Sequence, residues 1–482
     1  MTAAALATPP TDPVERLRLA RRAAAASVVG TAVEWYDYFI FGTASALVFG
    51  KVFFPGDSAV LGTLSAFAVF GVGFFARPVG GLVFGHIGDR IGRKRALVVT
   101  LMLMGVATFA IGLLPSTATI GLAAPVLLVV CRLVQGFGVG GEWGGASLVA
   151  VEYAPEGKRG AYGAFPQVGN AIGLVLSTGI FALVSQLPDD QLLSWGWRVP
   201  FLLSIVLIAA GLVIRLKLTE TPAFVAAQTA LERQQQEAGP VVKERTPLAE
   251  LLKNFRRPLL LALGMRAGEA FCGYIILTIG LAYATNYTDL PRTQVLLAGT
   301  VAAVIAVATY YLFGRLSDRI GRRKVFIFGA AAGLVLIFPF FAVLDLDSVP
   351  LMFLVYVGVY ILAVTPMYGV EPAFFSELFG TKVRYTGISV AAQVPSILIG
   401  VWPFASTALL IATDGKPWPV AGITCLFILL GLVCAVLAPE THRSDINTLD
   451  EPGRVDAVPL DAATAGGLGL PATRTATSEE HV

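Results

Sequence analysis

The chain has 482 residues, of which 56% are hydrophobic and only 14% are charged, and its mean hydropathy is +0.74. These values exclude a soluble globular protein or a soluble enzyme, because in such proteins about a quarter of the residues are charged. The net charge of only +3 conceals an uneven distribution, since Lys and Arg are concentrated in alternate loops. The composition therefore predicts an integral membrane protein.

Apolar runs recur along the chain with short polar segments between them. A helix of about 20 apolar residues crosses the roughly 30 Å of hydrocarbon in a bilayer. Twelve runs meet this requirement, and we predict twelve transmembrane helices at residues 23–49, 60–84, 96–114, 120–142, 160–186, 197–216, 258–287, 294–313, 325–344, 349–372, 386–412 and 417–438.

The distribution of Lys and Arg predicts the orientation, because cytoplasmic loops are enriched in these residues. The N-terminal segment and the second, central and eighth loops are basic: Arg16, Arg18, Arg21, Arg22; Arg90, Arg93, Lys94, Arg95; Lys243, Arg245, Lys253, Arg256, Arg257; Arg315, Arg319, Arg322, Arg323, Lys324. The other loops carry few basic residues and several acids, such as Asp57. Both termini are thus expected in the cytoplasm, and the first helix, which contains two acids, is expected to remain uncleaved.

Three polar motifs occur twice at a nearly constant displacement. "GHIGDRIGRKR" at 85–95 returns as "GRLSDRIGRRK" at 314–324, "EYAPEGKRG" at 152–160 as "ELFGTKVRY" at 377–385, and "TET" at 219–221 as "PET" at 439–441. Each pair follows the second, fourth or sixth helix of its half, which predicts a duplicated six-helix unit. The expected organisation is a cytoplasmic segment 1–22, a bundle 23–216, a cytoplasmic loop 217–257, a bundle 258–438 and a tail 439–482.

The two long polar segments are too short to fold as catalytic domains. "LERQQQEA" in the central loop could form a short amphipathic helix, although a solvated linker is the simpler prediction, and the tail has the composition of a disordered segment. The four cysteines lie in apolar runs without metal-ligand spacing, so no disulfide is expected. No phosphate loop, metal cluster or nucleophile triad is recognisable, and we expect no cofactor, no metal and no nucleic-acid partner.

The run Gly85, Asp89, Arg90, Gly92, Arg93, Lys94 and Arg95 resembles the loop signature of the major facilitator superfamily, and the second copy resembles it as well. "GTAVEWYDYFIFG", "RPVGGLVFGHIGDRIGRKR", "RLVQGFGVGGEWGGA" and "SWGWRVPFLLSI" are similar to the metabolite:proton symporter branch. Within that branch the first half is most similar to transporters of shikimate, and less so to those of 2-oxoglutarate, citrate, or proline and glycine betaine. The resemblance implies an all-α major facilitator fold and proton-driven uptake of a small polar metabolite across a bacterial inner membrane.

Charged residues of the repeated motifs are candidates for a cytoplasmic gate, because ion pairs that form in only one conformation bias a two-state transporter. Their alternative role is that of ordinary loop charges. The candidates are Asp89, Arg90, Arg93, Glu152 and Arg159 in the first half and Asp318, Arg319, Arg322, Glu377 and Arg384 in the second.

Ionisable residues inside the hydrocarbon are costly, so they indicate function. Glu34 lies about 16 Å into the first helix, near the bilayer midplane, and Asp37 shares its face. Two such close carboxylates are not both ionised in a dry site, which predicts a proton carrier. Arg132 of the fourth helix is the expected counter-charge, because an arginine can bind a carboxylate with two hydrogen bonds.

The fourth helix places Arg132, Gln135 and Glu142 on one face, between glycines that allow close approach of a neighbouring helix. Glu142 is either part of a gate or of a structural ion pair. Arg77, before Pro78, either contacts substrate or pairs with an acid of the first half. Arg266 and Glu269 are three residues apart and either neutralise each other, contribute to gating, or complete the binding site.

Uncharged polar pairs at helical spacing extend the set of candidates for substrate binding. Helix-packing hydrogen bonds are the alternative role for each of them. They are Gln167 with Asn170, Tyr274 with Thr278, Tyr356 with Tyr360, and Gln393 with Ser396.

The resemblance, together with the buried acids and arginines, implies a symporter that imports an organic acid, such as shikimate or a di- or tricarboxylate, by rocking of two bundles. Its partners are the substrate, the proton and the lipid bilayer, and the expected functional unit is a monomer. Two alternatives remain open at this point: a proton-coupled proline or glycine betaine carrier, and a passive facilitator, against which the buried acids argue.

Overall fold

The computed structural model describes residues 12–56, 59–238, 246–444 and 446. All regular secondary structure in these ranges is helical. The predictions for Asp57, Lys243, Arg245 and the tail beyond residue 446 lie outside the described residues.

The N-terminal half contains the following helices, interrupted by π-helical turns at Ser45–Phe49 and Leu192–Gly196: α1 Pro13–Ala44, α2 Gly50–Phe53, α3 Ala59–Arg90, α4 Arg93–Leu113, α5 Thr117–Ile120, α6 Ala123–Glu152, α7 Arg159–Gly163, α8 Phe165–Val184, α9 Asp189–Gln191 and α10 Arg198–Leu216. The central segment forms α11 Pro222–Ala238 and α12 Pro247–Asn254. Helix α11 covers "LERQQQEA", so this stretch is helical, as in the first of the two alternatives, and does not form an irregular linker.

The C-terminal half repeats this pattern, with π-helical turns at Ile275–Ile279 and Tyr360–Val364: α13 Arg256–Tyr274, α14 Gly280–Tyr287, α15 Arg292–Ile320, α16 Arg322–Leu344, α17 Val349–Val359, α18 Thr365–Leu378, α19 Arg384–Gln393, α20 Ser396–Ala412 and α21 Trp418–Leu437. The large hydrophobic core is formed mainly by this half, with a second core between α1, α3, α6 and α10.

Ten helices of the described chain are long and apolar enough to span a membrane, compared with the twelve runs predicted from the sequence. The two predicted runs without a match are the first and the seventh, which correspond to α1 and to α13 with α14. Both are helical over their predicted lengths. Each carries buried acids, Glu34 and Asp37 in α1 and Glu269 in α13, and such residues lower the hydropathy of a helix.

The repeated motif at 85–95 is largely helical. Helix α3 continues to Arg90, and only Gly92, with φ of +128°, has the left-handed backbone that favours glycine. Gly321, at the equivalent position of the second copy, has the same left-handed backbone, with φ of +108°. Gly85 instead allows close packing, because a Cβ there would lie 2.6 Å from Thr386 Cα in the other half.

Close contact between α3 and α6 was expected from the glycines of the fourth helix and is confirmed. A Cβ on Gly136 would lie 2.1 Å from the carbonyl oxygen of Gly73, and one on Gly140 would lie 2.1 Å from that of Arg77. This packing brings the buried Arg132 and the half-buried Arg77 onto neighbouring helices of the same bundle.

Candidate functional site

Asp37 of α1 is connected to Arg132 of α6 through two uncharged side chains. Thr108 Oγ1 donates a hydrogen bond to Asp37 Oδ2 at 2.6 Å, Gln135 Nε2 donates to Thr108 Oγ1 at 2.7 Å, and Arg132 Nη1 donates to Gln135 Oε1 at 3.2 Å. All four side chains are buried. The direct ion pair expected between Arg132 and an acid of α1 is absent from the described residues, and this chain of hydrogen bonds replaces it.

The surroundings of Asp37 fit both its charged and its neutral form. Thr108 Oγ1 lies 2.6 Å from Asp37 Oδ2 and 2.9 Å from the carbonyl oxygen of Met104, and its hydroxyl has one proton to donate. When Asp37 is ionised, Thr108 donates to the carboxylate. When Asp37 is protonated, its O–H can donate to Thr108, which then donates to Met104. Neither state leaves the carboxyl group without a hydrogen bond.

Arg132 and Arg77 lie on aromatic rings rather than beside acids. The guanidinium carbon of Arg132 lies 4.4 Å from the ring centroid of Phe41 and 4.7 Å from that of Phe70, and that of Arg77 lies 4.4 Å from the centroid of Phe74. Among the described residues neither arginine has a carboxylate within 4 Å. A buried arginine without an acid is an attractive site for an anion.

Glu34 lies one helical turn before Asp37 and is 5% exposed. Its Oε2 is buried and has no hydrogen-bond partner among the described residues. One turn further, the hydroxyl group of Tyr38 lies 3.3 Å from that of Tyr274 on α13, so α1 meets the C-terminal half beside this acid.

Glu142 forms a buried ion pair with Arg215 of α10, in which Nη1 contacts Oε2 at 3.0 Å and Nη2 contacts Oε1. Thr100 Oγ1 donates to the same carboxylate at 2.9 Å. These partners all belong to the N-terminal half. The geometry thus matches the structural ion pair rather than the gating role.

Arg266 contacts two acids, not one. Its Nη1 lies 2.6 Å from Glu269 Oε2 and 2.9 Å from Glu371 Oε2 of α18. The indole of Trp143, on α6 of the other half, lies over the guanidinium at 5.3 Å. Arg266 therefore neutralises Glu269 locally and also binds an acid of another helix, in the middle of α13.

The end of the bundle that carries the repeated motifs, here called the motif end, joins the halves through two equivalent helix caps. Asp89 accepts hydrogen bonds from the backbone N–H groups of Tyr385 and Thr386 at 3.1 and 2.8 Å. Asp318 accepts in the same way from Gly160 and Ala161 at 2.8 and 3.0 Å. Each aspartate thus binds the N-terminal turn of a helix in the other half, where the helix dipole favours negative charge.

Two ion pairs cross the same interface. Arg384 Nη1 lies 2.9 Å from Glu152 Oε1, and Arg159 Nη1 lies 3.4 Å from Glu377 Oε1. Within its own half, Arg322 binds Asp318 at 2.8 Å and Glu377 at 3.1 Å. The motif end is therefore closed in this conformation.

Arg93 occupies the position of Arg322 in the first half, 3.2 Å from Asp89 and 3.8 Å from Glu152. Arg90 and Arg319, which were also expected to gate, are exposed.

The third repeated motif supports these turns. Glu220 Oε1 accepts from the backbone N–H of Arg93 at 2.9 Å, and Glu440 Oε1 accepts from that of Arg322 at 2.8 Å. The preceding glycines provide no side-chain cap for α4 and α16, so the two glutamates serve instead. Burial raises the pKa of Glu220 above its usual range, and the backbone N–H groups and Arg93 oppose this shift.

The remaining polar candidates occupy different environments. Gln167 is buried, and its Nε2 donates to the carbonyl oxygen of Tyr368 across the two halves at 3.4 Å. Tyr360 is hydrogen-bonded to Tyr310 at 3.1 Å, Gln393 is buried on α19, and Asn170 is half-buried.

Sequence reasoning missed Thr108, Arg215 and Glu371. Arg215 and Glu371 lie within predicted transmembrane runs, so the rule that selected Glu34 could have found them. Thr108 is one of many uncharged residues in apolar runs, and no sequence signal separates it from the others.

Comparison with known proteins identifies the family of this chain. The sequence profile of the family described as "Sugar (and other) transporter" matches residues 23–451. The shikimate transporter of Escherichia coli (strain K12) is 41% identical over 448 residues, which cover 92% of this chain and 100% of the relative. The proline/betaine transporter of the same organism is 34% identical over 432 residues, covering 87% of this chain and 84% of the relative.

The fold is that of a solved transporter. The major facilitator superfamily proton:xylose symporter XylE, bound to 6-bromo-6-deoxy-D-glucose, superposes with a TM-score of 0.71 at 16% identity, covering 90% of this chain and 99% of the symporter chain. The all-helical major facilitator fold predicted from the sequence is confirmed. The chain belongs to the sugar (and other) transporter family.

Proposed function

We propose that this protein is a proton-coupled symporter that imports a small organic acid across the bacterial inner membrane. One observation carries the proposal: the buried Arg132 and the half-buried Arg77 have no carboxylate within 4 Å among the described residues, in the same bundle as the buried acids Glu34 and Asp37. An anionic substrate would supply the missing negative charge. The similarity to the shikimate transporter supports an organic acid as its class.

Coupling would operate through the hydrogen-bond chain from Arg132 to Asp37. A substrate carboxylate that binds Arg132 competes with Gln135 for the guanidinium, and Gln135 in turn holds Thr108, the partner of Asp37. Linked hydrogen bonds polarise one another, so substrate and proton affect each other's binding. Glu34, whose Oε2 lacks a partner, is the second carboxylate of the proton site.

Transport would proceed by alternating access, with twelve transmembrane helices rocking as two bundles and with both termini in the cytoplasm. The motif end would then be the cytoplasmic gate. Asp89, Asp318 and the ion pairs of Arg384 and Arg159 would open together when the site faces the cytoplasm. We propose that one chain forms the complete pathway, since both halves contribute to site and gate.

A proline or glycine betaine carrier is the second candidate, favoured by the 34% identical relative of that name. Betaine has a quaternary ammonium, which binds best to open aromatic faces. Here guanidinium groups already cover Phe41, Phe70 and Phe74, and this arrangement favours an acid over betaine.

Uptake into proteoliposomes distinguishes the candidates. Radiolabelled shikimate, 2-oxoglutarate and glycine betaine are offered with and without an imposed inward proton gradient. We expect accumulation of an acid only when the gradient is present. Accumulation of betaine alone would assign the protein to the osmolyte carriers, and equilibration without accumulation would indicate a passive facilitator.

A further inference from the structure

The C-terminal half contains a buried charge cluster that is not balanced. Arg266 Nη1 lies 2.6 Å from Glu269 and 2.9 Å from Glu371, so one guanidinium faces two carboxyl groups. A buried ion pair in the N-terminal half, by contrast, joins one arginine, Arg215, to one acid, Glu142. If both acids were ionised, the Arg266 cluster would hold a net negative charge.

The two acids differ in their surroundings. The side chain of Glu371 is fully buried, and its Oε1 has no hydrogen-bond partner among the described residues. The side chain of Glu269 is 6% exposed and makes the shorter contact with Arg266. A charged oxygen without a partner in a low-dielectric interior is costly, and protonation removes this cost. Glu371 is therefore the acid that holds a proton.

We propose that Glu371 is a second proton-binding carboxylate of the transport cycle, separate from the Asp37 site in the other half. The proposal rests on the proton-coupled function proposed above. The ionisable groups that face it are Arg266 and Glu269 on α13 and Tyr368 on its own helix, with Tyr310 of α15 against the Tyr368 ring at 5.8 Å. Arg266 is the cation of this group, and it is shared with Glu269.

Contact between the halves controls access to this site. Trp143 of α6 lies over Arg266 at 5.3 Å and parallel to the Tyr368 ring, with 6.3 Å between centroids. Separation of the bundles at the cytoplasmic gate removes the indole and admits water to the cluster. The O–H bond of Glu371 then breaks, its proton passes to water on the cytoplasmic side, and the hydrated carboxylate is left ionised. When the cytoplasmic gate closes and the site opens to the outer side, a hydronium ion from that side gives a proton to the Glu371 carboxylate, which restores the O–H bond and leaves water.

Infrared difference spectroscopy tests the protonation directly and needs no substrate. The full chain in liposomes is titrated with acid and base, and the C=O stretching band of protonated carboxylic acids is recorded. We expect Glu371→Gln to remove one band. Glu269→Gln should remove the same band although Glu371 is retained, because Arg266 then has a single acid to neutralise, which ionises. Glu156→Gln, at an exposed position, should leave the spectrum unchanged.

Transport gives an independent measurement. With the membrane voltage held at zero and a gradient of one pH unit, two protons per substrate support an accumulation of about 100-fold, and one proton supports about 10-fold. We expect wild type to reach the higher value and Glu371→Gln to fall to the lower one.

A band that persists in Glu371→Gln or in Glu269→Gln would overturn the proposal, as would an unchanged accumulation in Glu371→Gln. If Glu371→Gln does not fold, the spectrum of Glu269→Gln still tests the proposal. Failure of the proposed symport has a different signature, since wild type would then accumulate no acid under the gradient, whatever the spectra of Glu371→Gln show.

Discussion

Replacement of Arg215 by methionine is expected to destabilise the protein by about 3–5 kcal/mol, the usual cost when one member of a buried ion pair is removed. The side chain of Arg215 is 2% exposed and that of Glu142 is fully buried. Without the guanidinium, Glu142 loses both contacts with it and keeps only the hydrogen bond from Thr100 at 2.9 Å. A buried negative charge would remain with a single donor.

The double variant Glu142→Gln with Arg215→Met should recover most of this loss. It removes both charges, and the amide can still accept a hydrogen bond from Thr100. Neutral replacement of a buried pair is often without net cost, so we expect the double variant to lie within about 1–2 kcal/mol of wild type.

The assay is denaturant-induced unfolding of purified protein in detergent micelles, with wild type, both single variants and the double variant compared. Arg90→Met, at an exposed position close to the end of α3, serves as the control and should unfold like wild type. Equal stability of Arg215→Met and the double variant would refute the argument, because the loss would then not come from the uncompensated charge of Glu142.

Three further substitutions test the site and the gate. Gly73→Ala places a methyl group 2.7 Å from Arg132 Nε and should raise the KM for the acid at least about tenfold. The control Gly71→Ala, whose methyl group would meet no described neighbouring atom within 4 Å, should leave the KM unchanged, and equal effects would argue against Arg132 as a substrate ligand. Thr108→Val removes the partner of Asp37 and should lower gradient-driven accumulation, and Thr108→Ser, which keeps the hydroxyl group, should preserve it; similar loss in both would point to packing instead. Glu152→Gln removes the charge facing Arg384 and should increase labelling of a cysteine introduced in the cytoplasmic pathway, unlike Glu156→Gln in the loop that follows α6; unchanged labelling would contradict a gating role.

The sequence predicted the fold because its signals are local and strong. Apolar runs separated by basic loops define helices, and the copies of "GDRIGRKR" and "SDRIGRRK" show the duplication before any contact is known. The helix ends were less predictable. Helices α3 and α15 continue through Asp89 and Asp318 to Arg90 and Ile320, because contacts with the other half stabilise turns that are too polar for the hydrocarbon.

The acids and arginines of the interior were partly predictable. Glu34, Asp37 and Arg132 are charges in the middle of apolar runs, and the cost of burying them indicates function without a structure. Their partners depend on tertiary contacts. Gln135 and Thr108 stand between Arg132 and Asp37, and Glu142 binds Arg215 rather than a residue of the other half.

Glu371 illustrates the limit most clearly. Its charge inside a predicted apolar run could have marked it as a candidate, but nothing in the sequence identifies its partner. The sequence shows that Arg266 and Glu269 are three residues apart on one helix. Only the structure shows that Arg266 also contacts a second acid, on α18. Sequence spacing can identify a neighbour on the same helix, but it cannot count the groups that converge from another helix.

The most direct test of proton coupling is to compare uphill accumulation with exchange in Asp37→Asn. Proteoliposomes loaded with unlabelled acid measure exchange of labelled acid without a gradient, and empty proteoliposomes with an inward proton gradient measure accumulation. Asparagine keeps the size of Asp37 and a hydrogen bond with Thr108 but cannot carry the proton. Proton coupling through Asp37 predicts that exchange persists and that accumulation falls at least about tenfold under a gradient of one pH unit, whereas accumulation at the wild-type level would contradict it.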